Sequence, residues 1–427
     1  MTNPMFTKPL LAYLEAGEIE IRTGPFGTQL KASEYVDEGT PVINVRNIGF
    51  GSLRPEKLEF VPENVESRLQ QHRLRTGDIV FGRKGAVERH LLVKADQSGW
   101  IQGSDCIRVR IISGSLNPRF LSYCLLLEEH QNWIQSQASH GATMATLNQG
   151  IIERIRVPER TTSEQQRIVD ILSGYDDLID VNQRRVSIQE DMARRLFDEW
   201  FVRFRYPGHE TVPLIEAELG MAPEGWKPGT IADLSSFIGR GLAPKYDDEA
   251  SSLVINQKCI RDQALNLSPA RKQSKPIPQS KLVIDGDILI NSTGVGTLGR
   301  VAQLLGTLPN TTVDTHVTIV RVAEQVDLHY FGLQLLQLQP HFERQGIGAT
   351  GQTELSKTVI ADTKIIIPPS DLASRFGRIA GPLRCQAELL RNQNNKLRTA
   401  RDLLLPKLIS GKIDLSSAEK TFAEAAE

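Results

Sequence analysis

"RTGDIVFGRKG" occupies residues 75–85, and residues 284–294 read "IDGDILINSTG". Both segments contain Gly-Asp-Ile followed by apolar residues, and both have a glycine seven residues after the aspartate. Asp78 and Asp287 lie 209 positions apart, about half of the 427-residue chain. The shared positions predict the same strand and turn in two copies. The positions that we expect to be most exposed, "GRK" and "NST", differ between them.

Other segments recur at nearly the same offset and in the same order. "SDCIRVRI" matches "THVTIVRV", and "NPRFLSYCLL" matches "VDLHYFGLQLL". "HGATMATLNQGIIERIRVP" matches "IGATGQTELSKTVIADTKIIIP", and each half then ends in a long helical segment. Repetition of a whole series indicates a tandem duplication.

Composition excludes several classes of protein. The chain has 24% charged and 40% hydrophobic residues, which is typical of globular domains, and its length predicts two or more of them. Its four cysteines form no CxxC pair, and we find neither a signal peptide nor a run of about 18 apolar residues. We therefore expect a cytoplasmic protein with reduced cysteines. A net charge of −1 means that any nucleic-acid binding must come from local patches.

Short β-branched segments bounded by Gly, Asn or Ser predict strands ahead of each long helical segment. The predicted fold class is α+β, with two strand-rich domains in a pseudo-two-fold arrangement, separated by two long helices that form an antiparallel coiled coil. The predicted segments are a first strand-rich domain (1–160), a first helix (161–206), a linker (207–225), a second strand-rich domain (226–369), a second helix (370–412) and a polar tail (413–427).

A stripe that alternates by four and three residues runs through each long helix. Ten positions in each helix keep this 3.5-residue period, which is typical of a coiled-coil seam. The stripes are Ile168, Leu172, Tyr175, Ile179, Asn182, Val186, Gln189, Ala193, Leu196 and Trp200 in the first helix, and Phe376, Ala380, Leu383, Ala387, Leu390, Asn394, Leu397, Arg401, Leu404 and Leu408 in the second.

Antiparallel pairing of these stripes with full overlap places Asn182 against Asn394, where the two amides can hydrogen-bond and set the register. Parallel pairing would place each asparagine on an apolar residue. The resulting rod, about 48 Å long, would place the domains at opposite ends, a spacing suited to successive DNA major grooves. Pro382 should kink or restart the second helix. The alternative is that each helix packs only on its own globular domain.

Motifs for catalysis and metal binding are missing from the sequence. There is no HExxH, Walker A loop or G-x-S-x-G elbow, and the eight histidines are dispersed. "GVGTLG", with Gly294, Gly296 and Gly299, matches the dinucleotide fingerprint, but the following "RVAQLLGTLPNTT" breaks too early for the required helix. We interpret it as a turn-forming loop, while an enzyme that uses it to bind a nucleotide stays an open alternative.

Local charge favours nucleic acid. Residues 75–94 carry a net charge of +3, and residues 256–275 carry +4. Such basic runs can contact phosphates, although many are simply solvated surface. Loops that hold Arg beside Asn, Gln or Ser also suit base-edge recognition.

Four segments together resemble the specificity subunits of type I restriction–modification enzymes. They are "SEQQRIVDIL" after "RVP", "LFDEWFVRF", "GMAPEGWKPGTIADL" and "LLPKLISGKIDL". The resemblance covers nearly the whole chain. It implies two target-recognition domains, each reading one half of a bipartite, asymmetric double-stranded DNA site, and helices that dock two methyltransferase subunits, with motor-nuclease (restriction) subunits joining the complex.

The resemblance also implies a non-catalytic chain without a cofactor of its own, because S-adenosylmethionine would bind the methyltransferase subunits. A scaffold whose coiled coil and globular domains bind only proteins is the other open alternative. The predicted DNA contacts are the polar and basic loop residues Lys31, Arg46, Asn47, Arg83, Lys84, Arg89, His140 and Thr143 in the first domain, and Arg240, Lys245, Asn256, Lys258, Arg271, Asn291, Ser292, Arg300, Thr350 and Gln352 in the second.

Overall fold

The structure is a computed structural model that describes residues 6–138, 145–345 and 354–413. The chain divides into two compact units. Unit 1 comprises Met1–Ile179 with Lys396–Glu427, and unit 2 comprises Asp180–Asn395. Each unit therefore contains a globular region together with one part of each long helix. None of the described helices is long and apolar enough to cross a membrane.

Helices and strands are mixed throughout both units. The helices are α1 (Leu10–Glu15), α2 (Glu63–Arg68), α3 (Pro118–Leu125), α4 (Glu128–Ala138), α5 (Gln149–Glu153), α6 (Thr162–Phe197), α7 (Leu328–Gln337), α8 (Gln339–Gln345), α9 (Lys357–Ala361) and α10 (Ser370–Ile409).

The strands of unit 1 are β1 (Phe6–Pro9), β2 (Ile19–Thr23), β3 (Thr40–Ile43), β4 (Phe50–Gly51), β5 (Glu59–Val61), β6 (Ile79–Gly82), β7 (His90–Leu92), β8 (Ile101–Gln102), β9 (Cys106–Ile111) and β10 (Arg156–Pro158). Those of unit 2 are β11 (Leu214–Ala217), β12 (Gly220–Pro223), β13 (Lys227–Thr230), β14 (Ser235–Arg240), β15 (Ser252–Ile255), β16 (Ile260–Arg261), β17 (Ala264–Leu265), β18 (Arg271–Gln273), β19 (Ile288–Asn291), β20 (Val301–Gln303), β21 (Thr311–Val313), β22 (Val317–Val322) and β23 (Lys364–Ile367).

The main sheets of the two units share the order of four strands, and the sheet of unit 1 has a fifth strand, β4, at its edge. Unit 1 has a sheet in the order β2-β9-β6-β7-β4, and unit 2 has one in the order β14-β22-β19-β20. A three-stranded sheet accompanies each of them, β5-β3-β8 in unit 1 and β18-β15-β21 in unit 2. This matching order agrees with the predicted duplication, and the mixture of elements agrees with the predicted α+β class. The segment predicted as a linker contains the β11–β12 hairpin.

The Gly-Asp-Ile segment of unit 1 closes a turn and anchors a strand. The Asp78 carboxylate, 1% exposed, accepts the Arg75 backbone N–H at 2.7 Å. It also accepts two hydrogen bonds from the Arg110 guanidinium on β9, at 2.7 and 2.6 Å. Gly77 has a φ of +89°, a left-handed conformation that favours glycine. The buried aspartate thus satisfies the turn and neutralises the half-buried arginine.

Unit 2 repeats this arrangement atom for atom. Asp287 accepts the Ile284 backbone N–H at 2.9 Å and two hydrogen bonds from Arg321 on β22, at 2.9 and 2.8 Å. Gly286 has a φ of +87°. We call this Asp–Arg turn and its two strands the frame, and its recurrence explains why the motif occurs twice.

The long helices contact each other within unit 2. The Asn182 side-chain amide donates to Asn394 Oδ1 at 3.0 Å, and both side chains are 1% exposed. This is the pairing that the alternating stripe predicts. One turn further along α6, Val186 packs against Ala387 and Leu390, which precede Asn394 on α10. The helical segments of unit 2 therefore run antiparallel.

Within unit 1, the helical segments pair in the same sense. Arg401 Nη1 donates to Asp176 Oδ1 at 2.6 Å. Ile168 and Leu172 share the core of the unit with Leu405 and Leu408. The alternative that each helix packs only on its own globular domain is therefore wrong.

The second helix also differs from one expectation. α10 is continuous from Ser370 to Ile409, so the helix does not restart at Pro382. The preceding Gly381 faces the His329 ring, where an added Cβ would lie 2.8 Å from ring atoms. The absence of a side chain at Gly381 thus lets the helix approach α7 closely.

Candidate nucleic-acid interface

The loop after β6 presents the "GRK" residues of unit 1. Lys84 is exposed and lies 3.4 Å from Asp105. Arg83 is half-buried, and its carbonyl accepts the Leu147 N–H at 2.8 Å. Arg89 lies with its guanidinium 5.4 Å from the Phe50 ring centroid. This loop keeps exposed cationic groups on a backbone that is held in place by hydrogen bonds.

The remaining described candidates of unit 1 separate into two groups. Lys31 is exposed, and Arg46 is exposed beside Glu59 at 2.8 Å. Asn47 is 0% exposed, and its amide donates to the carbonyls of Arg54 and Glu56 at 3.1 and 3.2 Å. Burial of Asn47 makes it a structural residue, which corrects its prediction as a DNA contact.

The first two positions of "NST" in unit 2 are structural as well. Asn291 and Ser292 are both 0% exposed. The Asn291 amide donates to the carbonyls of Gln257 and Thr297, and the Ser292 hydroxyl lies 2.6 Å from that of Thr318. Their hydrogen bonds point into the unit, which corrects their prediction as DNA contacts.

The exposed tip of this loop begins one residue later. Thr293 Oγ1 lies 2.7 Å from His316 Nδ1, and Val295 is 95% exposed. Arg300 folds back, with its guanidinium donating to the Gly296 carbonyl at 2.9 Å. A strand, β20, follows the glycines where a dinucleotide-binding loop would open a helix. The nucleotide-binding alternative for this loop therefore lacks its required structural context.

A basic and aromatic surface lies on the loop before β15 and on β18. The Arg271 guanidinium lies 3.6 Å from the Tyr246 ring centroid, and Tyr246 is 44% exposed. Lys245 is exposed beside them, and the Lys272 ammonium donates to the Asp248 carbonyl at 3.0 Å. We call Lys245, Tyr246, Arg271 and Lys272 the Tyr246 patch. Sequence reasoning missed Tyr246, although an aromatic residue within "APKYDDEA" could have indicated it.

The other candidates of unit 2 are held by neighbouring groups. Asn256 accepts the Lys258 N–H at 2.9 Å and donates to the Pro269 carbonyl at 2.7 Å, so it caps a turn, whereas the Lys258 side chain is exposed. Arg240 lies 2.5 Å from Glu354. His140, Thr143, Thr350 and Gln352 lie outside the described residues.

The described part of the chain shows no clear catalytic site. No group of three or more His, Cys, Asp or Glu residues there is placed to hold a metal ion. Burial lowers the pKa of His90 to about 3, and its ring lies 2.8 Å from the Ser122 hydroxyl inside the core. Burial likewise raises the pKa of Cys106 to about 12. These groups are kept neutral, which suits packing.

Comparison with known proteins finds similar sequences. The model of the type I restriction modification DNA specificity domain matches residues 25–189. The type I restriction enzyme MjaIX specificity subunit of Methanocaldococcus jannaschii is 26% identical over 287 residues, covering 64% of each chain. The type I restriction enzyme HindI specificity subunit of Haemophilus influenzae is 22% identical over 412 residues, covering 80% of this chain and 87% of that protein.

A solved structure shares the fold. The type I restriction–modification S subunit from M. genitalium superposes with a TM-score of 0.61 at 14% identity, covering 96% of this chain and 97% of that one. Sequence relatives and fold therefore agree over most of the chain. The family model, the sequence relatives and the shared fold together support a type I restriction–modification specificity subunit.

Proposed function

We propose that this chain is the non-catalytic DNA-recognition subunit of a type I restriction–modification complex, reading a bipartite, asymmetric site with one domain per half-site. The observation that carries the proposal is the repeated frame. Asp78 with Arg110, and Asp287 with Arg321, build one scaffold twice, while the loops beyond β6 and β19 differ. Equal scaffolds with different tips suit the reading of two different sequences.

The exposed cationic groups supply the contacts in this proposal. In unit 1 these are Lys31, Arg46, Lys84 and the half-buried Arg83 and Arg89. In unit 2 the Tyr246 patch and Lys258 have the same role. Arginine donates in pairs to guanine or phosphate, and an aromatic ring stacks on bases. Phosphate contacts set affinity, and base contacts set sequence preference.

Exposed apolar residues on the helices support protein partners. Within unit 2, Val181, Ile188 and Met192 on α6 are 48%, 60% and 51% exposed, and Leu389 on α10 is 68% exposed. Within unit 1, a groove beside Leu178 and Leu397 is lined mainly by apolar side chains. Apolar surface on a helix marks a protein interface. We assign these faces to two methyltransferase subunits, which would carry S-adenosylmethionine, and the motor-nuclease subunits would join that complex.

Sequencing of methylated bases in cells with and without the gene tests the proposal. We expect a bipartite methylated motif that disappears with the gene. Replacing residues 226–369 with the corresponding domain of a relative should change one half of that motif only. Change in both halves would contradict the assignment of one domain to each half-site.

Binding to duplex DNA separates this proposal from a purely protein-binding scaffold. The full chain, with its methyltransferase partners, should retard a duplex carrying the motif more strongly than a scrambled duplex of equal length. A chain that assembles with partners but discriminates between no DNA sequences would be a scaffold.

A further inference from the structure

A depression of about 550 Å³ in unit 1 has an unusually basic lining. It lies against β2 and β9 and against the segments before β6 and before β8. Its charged lining residues are Glu20, Arg22, Arg73, Arg75, Arg108 and Arg110. Five guanidinium groups thus surround a space that holds one carboxylate.

Glu20 neutralises only part of this charge. It lies on β2, where its carboxylate accepts from Arg22 at 2.7 Å and from Arg108 at 3.2 Å. Burial and the charge of Arg110 lower the pKa of the Arg108 guanidinium. One carboxylate is thus shared between two arginines, and the environment of Arg108 disfavours its charge.

Of the other three arginines, two are matched by carboxylates and Arg75 is not. Arg110 is matched by Asp78 at 2.6 Å, and Arg73 is matched by Glu66 at 2.7 Å. The Arg75 side chain is exposed, and its guanidinium has no hydrogen bond or ion pair within residues 6–138, 145–345 and 354–413. The cluster therefore has more guanidinium groups than carboxylates.

Arg108 is the most unusual member, because its side chain is 1% exposed. Its Nη1 donates to the carbonyls of Gln71 and Arg73 at 3.2 and 3.4 Å. Its Nε is buried and has no hydrogen-bond partner among the described residues. A buried guanidinium with a missing partner is costly, so this residue needs a reason other than packing.

Unit 2 shows that the frame does not need these charges. In the strand pair of unit 1, Glu20 lies across from the frame arginine Arg110, and Arg22 lies across from Arg108. In unit 2, Phe237 lies across from the frame arginine Arg321, and Gly239 lies across from Ile319. The carbonyl that accepts from the frame arginine belongs to Arg73 in unit 1 and to Leu282 in unit 2. The backbone N–H that the frame aspartate accepts belongs to Arg75 in unit 1 and to Ile284 in unit 2.

The charged residues of the depression therefore have uncharged counterparts in unit 2. Glu20, Arg22, Arg108, Arg73 and Arg75 correspond to Phe237, Gly239, Ile319, Leu282 and Ile284, and Ile319 is part of a hydrophobic cluster. The basic residues of unit 1 are an addition to the frame, not a condition of its folding.

We propose that this depression binds a phosphate group, held by Arg22, Arg75 and Arg108. Guanidinium groups bind phosphate through paired, charge-assisted hydrogen bonds, and they do so most strongly when partly desolvated. The phosphate is carried either by a small molecule or by the DNA backbone. The depression lies at the Asp78 end of β6, whereas the Arg83–Lys84 loop follows its other end. It is thus separate from that loop, and the proposal does not depend on the proposed function.

Calorimetric titration of the full chain with pyrophosphate, at constant ionic strength, tests the small-molecule source. We expect saturable binding that weakens at least tenfold in Arg75→Ala and disappears in Arg22→Ala/Arg75→Ala. Arg75 has no side-chain partner to lose, so its replacement should leave the thermal unfolding of the unliganded chain unchanged. Arg54→Ala, which removes an exposed arginine of the same unit outside the depression, should bind as the unmodified chain does.

Titration with a duplex of arbitrary sequence at several salt concentrations tests the DNA source. Loss of one phosphate contact lowers the slope of log K against log salt by about one. If pyrophosphate does not bind but Arg75→Ala lowers this slope and Arg54→Ala does not, the DNA backbone supplies the phosphate. If Arg75→Ala changes neither measurement, the proposal is wrong. Methylation at an unchanged motif in that variant would leave the proposed function intact.

Discussion

Units 1 and 2 build the same frame with different surroundings. In unit 1 the frame arginine, Arg110, lies across from Glu20 in the strand pair. In unit 2 the frame arginine, Arg321, lies across from Phe237, with its guanidinium 5.7 Å from the ring centroid. One copy closes this side of the sheet with charges, and the other closes it with apolar packing.

The difference shows which residues the duplicated fold requires. Both copies keep the aspartate, the arginine and the glycine with positive φ. Loss of the arginine would leave a buried carboxylate uncompensated, and loss of the aspartate would leave a half-buried guanidinium without its counter-ion. Positions beside this group vary in polarity without changing the strand order. Function can therefore differ between the copies at these neighbouring positions.

The largest expected effect is the loss of a frame aspartate. Asp287→Ala should lower the local free energy of unfolding of unit 2 by about 3–5 kcal/mol, because the half-buried Arg321 loses its counter-ion and two hydrogen bonds, and the Ile284 N–H loses its acceptor. Asp78→Ala should cost less in unit 1, since Glu20 lies across from Arg110. Hydrogen exchange in peptides that cover each frame measures the two values. Glu324→Ala, an exposed control, should change stability by less than about 0.5 kcal/mol. An equal loss in both units would remove the role assigned to Glu20.

Acid should open unit 1 before unit 2. Burial lowers the pKa of His90 to about 3 and also lowers the pKa of His72 and His130 in unit 1, whereas His329 is the histidine of unit 2 with a pKa lowered by burial. A lowered pKa means that the unfolded chain binds the proton first. The contribution of neutral, buried His90 to stability is complete above about pH 6.5 and is lost as the pH falls towards 3.

For His90 alone the expected loss between pH 6.5 and 4.5 is about 2–3 kcal/mol. Unit 2 has Val301 on β20 at the position that His90 occupies on β7 of unit 1, as the strand registers show. A His90→Val/Ser122→Ala variant should therefore flatten this part of the pH profile of unit 1. Hydrogen exchange at each pH measures it, and an unchanged profile would show that His90 is not the titrating group.

The two units also differ in the contacts between the long helices. In unit 2 they meet at the buried amides of Asn182 and Asn394, and in unit 1 they meet at the ion pair of Asp176 and Arg401, which are 32% and 23% exposed. Asn182→Leu should destabilise by about 1–3 kcal/mol, because the buried Asn394 Oδ1 loses the N–H that Asn182 donates to it. Arg401→Gln, which leaves the Tyr123 hydroxyl bonded to Asp176 at 2.6 Å, should cost less than about 1 kcal/mol, and the loss should shrink as salt is added.

Urea unfolding at low and high salt measures both variants. The double variant Asn182→Leu/Asn394→Leu should cost less than the sum of the two single changes. Additive losses would show that the two amides do not depend on each other.

Sequence patterns predicted the parts of the molecule that repeat. The helix contact at Asn182 followed from an alternation that places two polar residues opposite each other, and the frame followed from a motif found twice. Asn291 and Ser292 were assigned wrongly, because the sequence does not show whether the side chain of a polar residue at a strand end forms its hydrogen bonds inside the domain or at the surface. The arginine-lined depression of unit 1 was not predicted. Its arginines come from segments far apart in the sequence, and the pairing of β2 with β9 brings Arg22 beside Arg108.

The smallest effects on stability should come from the two loop tips. Lys84→Ala and Thr293→Ala should each change the free energy of unfolding by less than about 0.5 kcal/mol, because neither side chain is buried. If the tips read DNA, Lys84→Ala should still lower the salt dependence of DNA binding by about one unit of slope. Asn291→Ala is the matched contrast, since it removes two internal hydrogen bonds and should destabilise unit 2 before it changes DNA binding. Stability measured by urea unfolding, beside affinity measured by fluorescence anisotropy, separates the two kinds of residue. A destabilising Lys84→Ala with unchanged affinity would assign "GRK" to the scaffold, as the structure already does for Asn291.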